Sequence, residues 1–93
     1  MGISNEEIVE KIVDRLFEIA NIPFRFHEMN PLDRSYKQKY PISEEQYYIW
    51  RLETRTWLME DLGWKWRKSD ILLKWIKKYR SYIYIRNLKT KQL

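Results

Sequence analysis

The chain has 93 residues, a net charge of +5, no cysteine, and aromatic side chains at 16% of its positions. This length predicts a single domain, 1–93, with a thin hydrophobic core, and the lack of cysteine excludes disulfides and thiolate metal sites. No apolar run approaches the ~20 residues of a membrane-spanning helix and the first residues do not form a signal peptide, so we expect a cytoplasmic protein with no membrane partner.

The first predicted element is an amphipathic helix over 5–20. Ser4 and Glu7 have the spacing of a capping box. Asn21 can end this helix and Pro23 prevents its continuation. Apolar residues recur at helical spacing along one side and predict the face that packs on the core: Ile8, Val9, Ile12, Val13, Leu16 and Ala20.

The segment between the first and second helices has no helical period. Residues 22–26 alternate between apolar and other side chains, which fits a short edge strand or an extended linker. Residues 27–42 contain two prolines and predict a long loop. A single histidine without cysteine does not indicate a zinc site, so we interpret His27 as an ordinary surface residue.

The second predicted helix spans 44–62, with a capping box at its start and Gly63 after its end. Its apolar residues occupy two faces. One contains Trp50 and Trp57, which we interpret either as core or as anchors of a protein interface, such as a homodimer. We predict that the other face is the inner one: Tyr48, Leu52, Met59 and Leu62.

The third predicted helix spans 69–83, with Ser69 as its cap. The stretch 82–86 also suits a strand because β-branched and aromatic residues alternate there, and 87–93 is predicted to be a basic tail. The apolar face of the helix is predicted to complete the core: Leu72, Trp75, Ile76, Tyr79 and Ile83.

Positive charge is concentrated at the carboxyl-terminal end of the sequence. Residues 63–93 contain ten basic side chains and one acidic side chain, a net charge of +9, whereas residues 1–62 have a net charge of −4. A segment of this kind attracts phosphate backbones, and its aromatic rings can stack on bases; the alternative interpretation is a solvated lysine face on a core helix. We predict nucleic-acid contacts at Lys65, Trp66, Arg67, Lys68, Lys74, Lys77, Lys78, Arg80 and Tyr84.

The sequence GWKWRKSDILLKWI, residues 63–76, resembles the wing and following helix of small excisionase-type DNA-binding proteins. The shared pattern is a Gly-aromatic-basic wing followed by Arg-x-Ser-Asp-x-x-x-x-Trp. The family's upstream Leu-Gly-Val-Ser turn has no counterpart in this sequence. The resemblance implies that Trp66, Arg67 and Lys68 lie on a wing near phosphates and that Asp70 caps the helix.

These patterns predict an all-α, three-helix domain with a long loop between helices 1 and 2 and a short strand or wing as a possible addition. We expect a non-enzymatic nucleic-acid-binding protein without a cofactor or metal, since the sequence lacks a nucleophile–base set, a metal-ligand cluster and a phosphate-binding loop. DNA is expected more than RNA. The alternative is a protein-interaction module, such as a small viral or plasmid-type modulator that docks on an acidic partner protein.

Overall fold

The computed structural model describes residues 2–28 and 39–79. Within these ranges the chain is all-helical, as predicted, and contains no β-strand. The second long helix packs against both of the others. In chain order the elements are α1 (Asn5–Ile19), a 3₁₀ helix (Phe26–Glu28), α2 (Glu44–Glu60) and α3 (Trp66–Tyr79).

Local hydrogen bonds define both ends of α1. The Ser4 hydroxyl accepts from the backbone amide of Glu7 at 3.2 Å, as the sequence predicts. At the other end Asn21 adopts a left-handed conformation with φ of 58°. Its amide donates to the carbonyl of Glu18 at 3.1 Å, and the next amide, of Ile22, donates to the carbonyl of Phe17 at 2.9 Å. These two bonds form a Schellman motif, which stops the helix.

The predicted capping box at the start of α2 is present in both directions. The Ser43 hydroxyl accepts from the Gln46 amide at 3.1 Å, and the Gln46 side chain accepts from the Ser43 amide at 2.9 Å. Beyond the other end of α2, Gly63 has φ of +71°, a conformation that glycine adopts without steric cost. The chain then turns, so that the amide of Trp64 donates to the carbonyl of Leu58 at 3.0 Å.

All three long helices contribute to one hydrophobic core. The predicted face of α1 is buried, except that Ala20 is only partly so. From α2 the core receives Trp50, whose indole Nε1–H donates to the carbonyl of Ile12 at 2.7 Å. Side chains of the core cluster are Val9, Ile12, Val13, Leu16, Phe17, Ile22, Phe26, Tyr47, Trp50, Leu72, Leu73 and Ile76.

The predicted inner face of α2 was wrong. Tyr48, Leu52 and Met59 are 55%, 42% and 37% exposed, and Leu62 is half-buried. The helix instead buries its other apolar face. The ring of Trp50 removes a large apolar surface from water, and its buried indole N–H has a hydrogen-bond acceptor on α1. The buried side chains of α2 are Tyr47, Trp50, Thr54 and Leu58.

The start of α3 also differs from the prediction. The helix begins at Trp66, three residues before the predicted cap, so the wing that the resemblance implies does not form. Ser69 is fully buried inside the helix, and its hydroxyl donates to the carbonyl of Lys65 at 3.1 Å. Leu72 and Ile76 lie in the core as predicted, whereas Trp75 is 37% exposed.

The connection after α1 is irregular rather than a strand. Residues 22–25 bend into the 3₁₀ helix, where the amide of Phe26 donates to Asp14 Oδ1 at 2.7 Å. The ring of Phe24 makes edge-to-face contacts with Phe17 and with Tyr40, both with centroids 5.5 Å apart. The two described ends of the predicted loop are thereby held near the end of α1. The predictions for 29–38 and for 80–93 lie outside the described residues.

Candidate nucleic-acid interface

The first turn of α3 brings exposed basic and aromatic side chains together. Gly63 directs the chain away from α2, and the helix starts three residues later. Lys65, Trp66, Arg67 and Lys68 are all exposed. The first turn contains no acidic residue, although positive side chains at a helix amino terminus oppose the helix dipole. This end of α3 therefore has a local excess of positive charge that a bound anion would offset.

Trp66 is the most exposed large aromatic side chain of this cluster. Its side chain lies at the surface with 52% of the residue exposed. The guanidinium carbon of Arg55, from α2, lies 5.2 Å from the centroid of the indole ring. This is the distance of a cation–π contact, so one side of the ring packs against a cation that belongs to the neighbouring helix.

Arg55 is held in turn by Asp70. Its Nη1 atom lies 3.2 Å from Asp70 Oδ1, and the two side chains are 23% and 10% exposed. The second carboxylate oxygen of Asp70 pairs with Lys74 Nζ at 3.0 Å. The resemblance implies that Asp70 caps α3. In the structure Asp70 instead joins α3 to α2 through a partly buried ion pair.

A second cation–π contact lies just before the helix. The ammonium of Lys68 is 4.1 Å from the centroid of the Trp64 ring. Trp64 is half-buried and packs against the core. Both tryptophans of the Trp-x-Trp segment therefore pack against a cation, but they differ in how much ring surface faces water.

The predicted lysine stripe of α3 is partly neutralised within the protein. Lys74 pairs with Asp70, as described above, and Lys77 Nζ lies 2.7 Å from Glu44 Oε2 and 5.1 Å from the centroid of Tyr47. The hydrogen bond from Lys77 holds the pKa of Glu44 below its ordinary value. Lys78 is exposed. The stripe thus presents less unpaired charge than the sequence suggests, and the start of α3 becomes the stronger part of the candidate interface.

The remaining predicted site residues fall elsewhere. Arg80 and Tyr84 lie outside the described residues. Trp50 is fully buried in the core, and Trp57 is half-buried against it. Trp57 also lines a groove of about 190 Å³ between α1 and α2. The structure therefore places Trp50 as core, one of its two interpretations, and not as an exposed anchor.

Two features of the structure are absent from the predictions made from the sequence. One is the Arg55–Asp70 pair, for which the single acid in a basic segment was the available signal. The other is the apolar stripe that Tyr48, Leu52 and Met59 form on the exposed side of α2. Helical periodicity had identified these three residues as one face but assigned that face to the core.

Residues 2–28 and 39–79 contain neither a metal-ligand cluster nor a membrane-spanning helix. No three potential metal-ligating side chains of that part of the chain come together. None of its helices combines the length and the apolar character needed to cross a bilayer.

Within residues 2–28 and 39–79, the fold and this surface define a class: a small all-helical domain of three long helices with a cationic, aromatic cluster at the start of α3. Comparison with protein-family models, with curated proteins and with solved structures finds no match to the chain.

Proposed function

We propose that this protein binds nucleic acid through the start of α3, without catalysing a reaction. The observation that carries the proposal is the exposed indole of Trp66 beside the exposed side chains of Arg67 and Lys68. Cations provide attraction to phosphate that does not depend on base sequence, and an exposed aromatic ring provides a surface for base stacking. The net charge of +9 over residues 63–93 supports the same partner.

The test is a titration of the intact protein against duplex DNA, single-stranded DNA and RNA over a range of salt concentrations. If about five phosphates of a duplex are neutralised, the logarithm of the affinity should fall with the logarithm of the salt concentration with a slope of about −4 to −5. Failure to bind all three polymers at about 50 mM salt would refute the proposal.

A charge-reversal pair locates the contact. Arg67→Glu with Lys68→Glu should weaken binding at low salt and reduce the salt slope by about 2, since each phosphate contact contributes almost one unit. The matched control is Lys11→Glu with Lys39→Glu, which changes the net charge equally at exposed positions outside α3. Equal loss in both double variants would mean that net charge matters and that the start of α3 is not the contact surface.

The alternative function, a protein-interaction module with an acidic partner, is favoured by the exposed stripe of Tyr48, Leu52 and Met59 on α2. This stripe borders Arg55 on the same helix, and Arg55 and Lys74 share the carboxylate of Asp70. An apolar surface edged by cations suits an acidic amphipathic segment. Leu52→Glu would abolish such binding and leave nucleic-acid binding unchanged, so one variant separates the two proposals.

A further inference from the structure

We infer that the strand bound at the start of α3 is single-stranded, with an unpaired base stacked on the outer face of Trp66. This inference rests on the proposed function and adds to it the class of polymer and the mode of contact. The supporting observation is a chain of contacts in which Asp70 pairs with Arg55 and Arg55 packs against the ring of Trp66.

The indole of Trp66 combines a contact to a cation with a large exposed surface. Arg55 packs 5.2 Å from the ring centroid on one side, yet 52% of the residue remains exposed. We therefore take the face opposite Arg55 as the surface that a ligand would cover. A planar group that stacked there would complete a layered arrangement of guanidinium, indole and ligand, in which each layer is bound by dispersion and cation–π attraction.

Duplex nucleic acid does not offer a partner for such a face. In a duplex the base faces are stacked on one another, and a protein reaches base edges in the grooves or phosphates on the outside. Stacking on a protein side chain requires a base that is not paired, as in a single strand, a loop or a bulge.

The ring is oriented before any ligand arrives. Asp70, 10% exposed, holds Arg55 at 3.2 Å, and Lys74 occupies the other oxygen of the same carboxylate at 3.0 Å. Arg55 is therefore restrained on the inner face of Trp66, and the indole loses little further freedom when a base stacks on it. Preorganisation of this kind increases affinity because the ordering cost is not paid during binding. Arg55 and Asp70 are positioning residues that act through Trp66.

The experiment compares three single strands of twelve nucleotides, oligo(dT), oligo(rU) and an abasic DNA strand, which have the same number of phosphates. An oligo(dT)·oligo(dA) duplex of twelve base pairs has twice as many, so it is compared with them at equal total phosphate concentration. Stacking of one base favours a single strand with bases over the abasic strand by about fivefold to a hundredfold. Trp66→Ala should remove this difference while binding of the abasic strand stays the same, and Trp66→Phe should restore part of it. Tyr48→Ala, which removes an exposed ring on α2, is the matched control and should leave the difference intact.

The positioning role has its own readout. Arg55→Lys retains the charge but not the planar guanidinium, so the ratio of oligo(dT) to abasic affinity should fall several-fold while abasic binding is retained. If Arg55 had only a structural role, Arg55→Lys would instead lower the affinities for oligo(dT) and for the abasic strand together, in parallel with a loss of helical circular dichroism.

The outcomes separate the inference from the proposed function. Equal binding of the abasic and oligo(dT) strands, or tighter binding of the duplex, would overturn the inference and leave nucleic-acid binding in place. Binding of none of the four oligomers would refute both. A preference for either base-containing single strand that is lost in Trp66→Ala would establish the inference.

Discussion

At the scale of single residues, Trp50 joins two helices in two ways. Its ring is fully buried in the core, with an edge-to-face contact to Tyr47 at a centroid distance of 6.3 Å. Its Nε1–H reaches the carbonyl of Ile12 on α1 at 2.7 Å. Its own carbonyl accepts from the hydroxyl of Thr54 at 2.6 Å, so that this buried hydroxyl is also satisfied. Packing and polar satisfaction therefore depend on the same side chain.

We expect Trp50→Phe to lower the free energy of unfolding by about 1–3 kcal/mol, because the hydrogen bond to Ile12 is lost and part of the ring volume is left empty. Urea denaturation followed by circular dichroism measures the change. Trp66→Phe is the control at the surface and should change stability by less than about 0.5 kcal/mol. Similar losses in both variants would contradict the burial difference between the two rings.

Asn21 holds a left-handed conformation at the end of α1, with φ of 58°. We expect Asn21→Gly to leave stability unchanged or raise it by up to about 1 kcal/mol, and Asn21→Ala to lower it by about 1 kcal/mol, because only glycine adopts positive φ without a steric cost. Thermal unfolding of the two variants measures the effect. An alanine variant as stable as the glycine variant would show that this backbone conformation does not limit stability.

At the scale of elements, α2 has two apolar faces and buries one of them. Local sequence determines where the helix begins, because the capping box of Ser43 and Gln46 is formed by neighbouring residues. It does not determine which face turns inward. That choice depends on contacts between helices that are distant in the sequence, such as the hydrogen bond from the Trp50 indole to the carbonyl of Ile12, 38 positions earlier.

The orientation of α2 is tested by two leucines. Leu58→Ala should lower the free energy of unfolding by about 2–5 kcal/mol, since Leu58 is fully buried and its truncation leaves a cavity. Leu52→Ala should cost less than about 1 kcal/mol because Leu52 is 42% exposed. Chemical denaturation of both variants measures these changes. A larger loss of stability for Leu52→Ala than for Leu58→Ala would mean that the face containing Leu52 is the buried one, as the sequence predicted.

The start of α3 shows a second limit of local patterns. Ser69 followed by Asp70 resembles a cap, and that pattern predicted a helix from 69. In the folded chain the Ser69 hydroxyl bonds back to the carbonyl of Lys65 inside the helix, and Asp70 is turned toward Arg55. Serine and aspartate can either cap a helix or lie inside one. Asp70 lies inside α3 and pairs with Arg55 of α2, and no local sequence pattern indicates this cation on the neighbouring helix.

At the scale of the whole molecule, ion pairs connect α2 to both of its neighbours. Glu53 accepts from Arg15 of α1 at 2.7 Å, and Glu44 accepts from Lys77 of α3 at 2.7 Å. In each case the hydrogen bond from the cation lowers the pKa of the carboxyl group. The net charges of residues 1–62 and 63–93 can be counted from the sequence. The two ion pairs could not be predicted from it, because they depend on how the helices pack.

These lowered pKa values predict the direction of a pH effect. A carboxyl group with a lower pKa in the folded state stabilises the fold above its unfolded-state pKa, about 4.3 for glutamate, and this contribution is lost as pH falls through the folded-state pKa. We expect Glu44→Gln with Glu53→Gln to be less stable than the unmodified protein at pH 6 and equally stable near pH 2. The difference should be small, since the two carboxylates are 82% and 44% exposed and water screens both pairs.

Urea midpoints measured between pH 2 and pH 6 test this expectation. Glu6→Gln with Glu45→Gln removes the same number of carboxylates from exposed positions and is the control. If the stability difference between the Glu44 and Glu53 double variant and the unmodified protein does not change with pH, these ion pairs do not contribute to folding.

The contrast between Trp50 and Trp66 also has an optical consequence. Indole emission moves to longer wavelength when the ring meets water, so Trp50, fully buried, belongs to the blue side of the spectrum and Trp66, 52% exposed, to the red side. Unfolding would shift the emission of Trp50 toward the red. A ligand that covers Trp66 would instead alter the emission of Trp66, obtained as the difference from the spectrum of Trp66→Phe because the chain has five tryptophans, and would protect it from a water-borne quencher such as acrylamide. The emission spectra of the unlabelled protein and of Trp66→Phe together distinguish loss of the core from occupation of the surface.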